Sequence, residues 1–167
     1  DKNVQWIISV IARRYEMDKR NKELFSWVEY AKSAFWCSPL TKLVMAGVAA
    51  NAAVEQKDYE KALQHTLDYI KQKDWLTEHE EEKNAMLQLD LPVFITEDYY
   101  FLLLRIGTFS ANQIKNYSVA MELWNRFPWK REDFDREYYR AEMMRTVQGL
   151  RGQQEQEKEP VQLSIGI

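Results

Sequence analysis

Apolar residues recur at intervals of three and four along nearly the whole chain, and only five Gly and four Pro interrupt 167 residues. That spacing places side chains on one flank of an α-helix, whereas hairpins need turn residues and β-branched runs that this chain lacks. The expected fold is all-α, a single-domain bundle of about six to seven helices. Val4, Ile7, Ile8 and Ile11 form one inward stripe, and Leu24, Phe25, Val28, Ala31 and Phe35 form a second. Ser38 followed by Pro39 opens a third helix that runs through Val54, because Ser caps free N–H groups and Pro fits the first helical position. Its run Ala46-Gly47-Val48-Ala49-Ala50-Asn51-Ala52-Ala53 has so little bulk that another backbone can approach closely.

Asp58 caps a fourth helix with Tyr59, Ala62, Leu63, Thr66, Leu67 and Ile70 on one face. A break is expected at Leu91-Pro92. Thr96, with Glu97 and Asp98 in the next turn, starts a very apolar helix from Tyr99 to Ile106. Gly107 ends it, Ser110 caps a helix that Pro128 stops, and the last helix runs from about Arg131 to Gly149. The bundle spans 1–152, and the polar segment 153–167 is expected to be a flexible tail.

Several chemistries lack their residues. Cys37 is the lone cysteine and His65 and His79 the only histidines, so no disulfide and no zinc set is expected. Neither histidine has Glu three positions before it, as a di-iron bundle requires. Cys37 follows Phe35 and Trp36 and reads as a small buried hydrophobe rather than a nucleophile. The five glycines stand apart, so no loop cradles phosphate, and the run Glu80 to Glu82 reads as solvated. No catalytic, metal or cofactor residues are assigned. No apolar run is long enough to span a bilayer, and the start at Asp1 shows no signal peptide, which together predict a cytoplasmic protein without membrane contact.

Charge is the remaining lead. Net charge is −3, but an acidic middle, residues 74–100 with 8 Asp/Glu against 1 Lys, separates two mildly basic flanks. One basic group comprises Arg13, Arg14, Lys19, Arg20 and Lys22. The other interleaves cations with rings: Arg126, Trp129, Lys130, Arg131, Arg136 and Arg140. Lys and Arg displace counterions from a nucleic-acid backbone and aromatic rings stack on unpaired bases, so these eleven residues are candidate nucleic-acid contacts without sequence specificity. Arg136 and Arg140 lie about 40° apart on a helix, with Glu132 placed to pair with Arg136. Arg145, on the opposite and apolar side, is expected to be buried or at an interface. The surplus of Trp, Tyr and Phe, 13% of the chain, points to partner proteins as well.

With its last helix Arg131 to Gly149, its Ala-rich helix Pro39 to Val54 and these Arg/Lys clusters, the chain resembles the small all-helical subunits of Cascade-type CRISPR effector complexes. The resemblance implies a non-catalytic subunit of an antiviral nucleoprotein complex, packed against other subunits or copies of itself and steadying DNA or RNA through phosphates. It also implies that the chain can derive from part of a larger gene. The alternative is a helical protein-protein adaptor with no nucleic-acid contact.

Overall fold

The computed structural model describes residues 2–87 and 92–165; side chains are described except at 85–92 and beyond 158. Eight α-helices follow one another within these residues: α1 (Lys2–Met17), α2 (Asn21–Ser33), α3 (Pro39–Glu55), α4 (Tyr59–Glu78), α5 (Glu80–Leu87), α6 (Glu97–Gln113), α7 (Tyr117–Trp124) and α8 (Arg136–Ile165). A 3-10 turn, Pro92–Ile95, precedes α6. The described residues contain no strand, and the fold is all-α.

Helix α3 is the axis of the bundle. Leu43, Val44, Met45, Val48 and Ala49 are completely buried, and α1, α2, α4 and α6 all pack on it. A helix apolar on every side has nowhere stable to lie except the interior. Its small residues do admit a close neighbour, but the neighbour is a ring: a Cβ on Gly47 would lie 2.6 Å from the Tyr99 hydroxyl. Tyr99 in turn packs edge-on against Phe94, 5.0 Å between centroids, and Phe94's carbonyl accepts a 2.6 Å bond from Tyr69.

Three of the four expected caps form. Ser38 Oγ accepts from the Thr41 amide, Asp58 from Lys61 and Thr96 from Tyr99, each at 3.2 Å. The helix ends were less legible. Three of them carry a lysine in the left-handed region, Lys19 (φ 58°), Lys57 (φ 61°) and Lys115 (φ 61°), where Gly is usual. In each case the following amide reaches back five residues: Arg20 to Tyr15, Asp58 to Ala53 and Asn116 to Ala111.

Four expected features are corrected. Gly107 does not end a helix and Ser110 does not cap one, because α6 continues through both to Gln113. Gly107 instead admits neighbours: a Cβ there would meet Thr66 at 2.7 Å and Leu123 at 2.8 Å. The last helix begins at Arg136 rather than Arg131, after a loop that turns at Phe134, and it runs on to Ile165 rather than ending near Gly149. Gln, Glu and Lys favour helix even when solvated. The acidic run Glu80 to Glu82 is exposed, as expected, and it forms the first turn of α5, where carboxylates face the positive end of the helix dipole. Of the break expected at Leu91-Pro92, Leu91 lies outside the described residues, and Pro92 opens the 3-10 turn.

Candidate functional site: a basic surface held by its own acids and an inverted first helix

Around the α1–α2 turn, Arg13 pairs with Glu16, Arg14 with Asp18 at 3.0 Å, Lys19 with Glu55 at 2.8 Å and Arg20 with Glu23 at 3.2 Å. Arg20 also lies over the Tyr15 ring, 5.2 Å from its centroid. Lys22 is exposed beside a shallow groove walled by Tyr15 and Trp27 and makes no ion pair with a described residue. Glu23 is held below the usual carboxylate range by hydrogen bonds from its own backbone and from Arg20.

The second group works as internal bracing. Arg126 grips Asp74 with both guanidinium nitrogens, at 3.1 and 2.8 Å, and reaches the Tyr100 hydroxyl at 3.2 Å, so it ties the end of α7 to α4 and α6. Arg131 bonds Glu97 at 2.5 Å and Asp133 at 2.6 Å, and its hydrogen bond holds Glu97 below its ordinary pKa. Arg140 pairs with Glu137 at 3.2 Å. Arg136 folds back onto the carbonyls of Trp129 and Arg131, at 2.5 and 3.4 Å. The expected Glu132–Arg136 pair does not form, since Glu132 precedes the helix and the two are not one helical turn apart. Lys130 is exposed with no ion pair to a described residue. Seven of the ten candidate cations therefore already face a carboxylate.

Trp129 is half-buried rather than free to stack. Its ring lies 5.8 Å from Trp124 and 5.4 Å, edge-on, from Phe134, and its Nε1 donates to the Trp124 carbonyl at 2.7 Å. Phe101, Phe127 and Tyr139 complete this cluster, which absorbs much of the aromatic surplus into the interior. Beneath it, Trp124 Nε1 donates to Thr146 Oγ1 at 2.9 Å and Thr146 donates to Asn112 at 2.7 Å, a buried chain that fixes α8 on α6 and α7. Arg145, expected to be buried or interfacial, is exposed and pairs with Glu142 at 3.2 Å.

No protein-family model, curated protein or solved structure matches this chain.

Cys37 and His65 both lie inside the bundle. Cys37 is buried and its thiol is pushed up to about 11 by desolvation. His65 is buried with no hydrogen bond to Nδ1, and burial pushes its pKa down to about 4. Among the described residues no group of three His, Cys, Asp or Glu is placed to share a metal ion, and no helix is long and apolar enough to cross a membrane.

The feature that periodicity misjudged is α1. Of the stripe Val4, Ile7, Ile8 and Ile11, only Ile8 is buried; the buried residues of α1 are Gln5, Ile8, Ser9 and Ala12. Gln5 explains the rotation. Its Nε2 donates to the Trp36 carbonyl at 2.8 Å, while its Oε1 accepts from the Ser38 amide at 3.0 Å and from the Thr41 hydroxyl at 2.5 Å. Turned outward are Val4, Trp6, Ile7 and Val10, exposed by 43%, 42%, 49% and 39%. Phe35, expected on the inward stripe of α2, is 98% exposed in the α2–α3 connection, because α2 ends at Ser33 before reaching it. Spacing reveals that a helix has an apolar arc; it does not say which arc a polar anchor will draw inside.

Proposed function

We propose that this chain is a non-catalytic helical adaptor that docks onto another protein through the outward arc of α1. The supporting observation is the apolar surface at Val4, Trp6, Ile7 and Val10, held outward while Gln5 and Ser9 bond inside. Removing the remaining exposed half of these four side chains from water favours association by roughly 4 kcal/mol in all. The partner surface is an apolar groove or helix face on a different, larger subunit, since one helix arc is small against the ~800 Å² per partner of a standard interface. The Cascade-like reading, with phosphate contacts added to subunit packing, has its support in Lys22 and Lys130, which are exposed and make no ion pair with a described residue; Arg136, the third candidate cation without a carboxylate, is tied to backbone carbonyls.

Charge placed on the arc tests the docking. The double substitution Ile7→Glu with Val10→Glu faces solvent, so its melting temperature should stay within about 2 °C of the parent, the range of an ordinary surface change. In native extracts the parent should elute in a larger assembly and the variant at the 20.0 kDa position. Reversal of Lys22 and Lys130 to Glu should leave that assembly intact. An unchanged elution of the α1 variant removes the docking reading, and loss of the assembly only on reversing the lysines favours phosphate contacts. A purified parent running at twice the monomer mass, reduced to monomer by the α1 change, makes the partner a second copy.

A further inference from the structure

A groove of about 520 Å³ lies between the end of α3, the middle of α6 and the first turns of α8. Its apolar wall is Val54, Leu102, Ile106 and Phe109. On its rim stands Arg105, whose Nη1 donates to the Tyr138 hydroxyl at 2.5 Å and whose guanidinium lies 5.8 Å from the centre of the Tyr138 ring. Neither contact neutralises it. Arg13, Arg14, Arg20, Arg126, Arg131, Arg140 and Arg145 each have a carboxylate, whereas no carboxylate of a described residue pairs with Arg105, as none does with Arg136 or Arg151 outside the groove. Glu142 also lines the groove, but its oxygens are taken by the Asn112 amide at 3.2 Å and by Arg145 at 3.2 Å.

We infer that this groove binds a small organic carboxylate with an apolar body, the carboxylate on Arg105 and the body along Leu102, Ile106 and Phe109. Tyr138 engages only one of the guanidinium nitrogens, leaving N–H groups that can meet a carboxylate as a fork. One uncompensated charge suits a monoanion, and the apolar wall suits an organic body over a bare phosphate. The volume falls within the range of small-molecule sites, and an apolar wall with few polar groups is their usual composition. The site is independent of the α1 arc and stands or falls apart from the docking reading.

Octanoate and octanol are the probes, alike in apolar body and different in charge, each titrated into ¹⁵N-labelled full chain and followed by NMR. Octanoate should move the Arg105 Nε–H signal and the amides of Val54, Ile106 and Phe109 saturably, and bind about tenfold more tightly than octanol, the worth of one charge-assisted contact. Arg105→Gln, at an exposed position, should bring the two probes to equal affinity with the rest of the spectrum unchanged. Ala141→Trp, an exposed groove residue filled in, should abolish both. Equal binding of the two probes by the parent overturns the inference. So does octanoate affinity unaffected by Arg105→Gln, a shift map confined to residues 4–11, or silence up to about 10 mM, the weak limit for such a contact.

Discussion

His65 makes the stability of the bundle depend on pH. It lies on α4, 3% exposed as a residue, with its ring stacked 6.3 Å from Phe25, and burial holds it neutral with a pKa of about 4. In the unfolded chain an ordinary His titrates near 6.5. Between those values the unfolded state takes up a proton that the folded state refuses, so this contribution is complete above about pH 6.5 and declines as pH falls, by up to ~1.4 kcal/mol per unit. Urea unfolding at pH 7 and pH 5 should therefore show the parent losing about 2 kcal/mol more than His65→Leu. Equal losses in the two proteins would assign the acid sensitivity to other groups. The sequence placed His65 outside any ligand set, but not in the core, because its neighbours Phe25 and Lys32 come from another helix.

Among the elements, the starts of α3, α4 and α6 were legible and those of α7 and α8 were not. Ser38-Pro39, Asp58 and Thr96 announce themselves because a cap is a local bond between a side chain and an amide three residues on. The end of α3 is expected at Val54 and falls at Glu55, but the left-handed turns at Lys19, Lys57 and Lys115 are invisible by composition, since a lysine carries no sign that its backbone will turn left-handed. Lys57 offers the cleanest measurement, being exposed, with its amide bonded to Val54 at 3.0 Å. Replacing it with Gly removes the crowding of Cβ against the carbonyl and should raise unfolding stability by about 1 kcal/mol, read as a shift in urea midpoint at constant slope. No shift would mean that the greater freedom of Gly in the unfolded chain cancels the relief. The candidate site shows the same boundary between local and tertiary information. That Arg14 would meet Asp18 and Arg140 meet Glu137 follows from helical spacing, whereas Arg126 meeting Asp74 across three helices does not.

For the whole molecule, charge and apolar surface lead in opposite experimental directions. Net charge is −3 and most of the basic candidates are already answered by acids, so little counterion release is available to a polyanion. A 20-nucleotide single strand in about 50 mM NaCl should bind no more tightly than roughly 10⁻⁴ M, at the weak end of non-specific contact. Association through α1 should strengthen in sulfate, which is excluded from protein surfaces and favours burial. Tight DNA binding that falls steeply with salt would restore the polyanion reading. Gln5 adds a consequence in the cell. With that amide clamped to Trp36, Ser38 and Thr41, the first helix cannot roll its greasy flank under cover when no companion is present. On the proposed docking, a copy without its partner becomes a client for chaperones and proteases, and the amount of this chain in a cell should rise and fall with the synthesis of that partner.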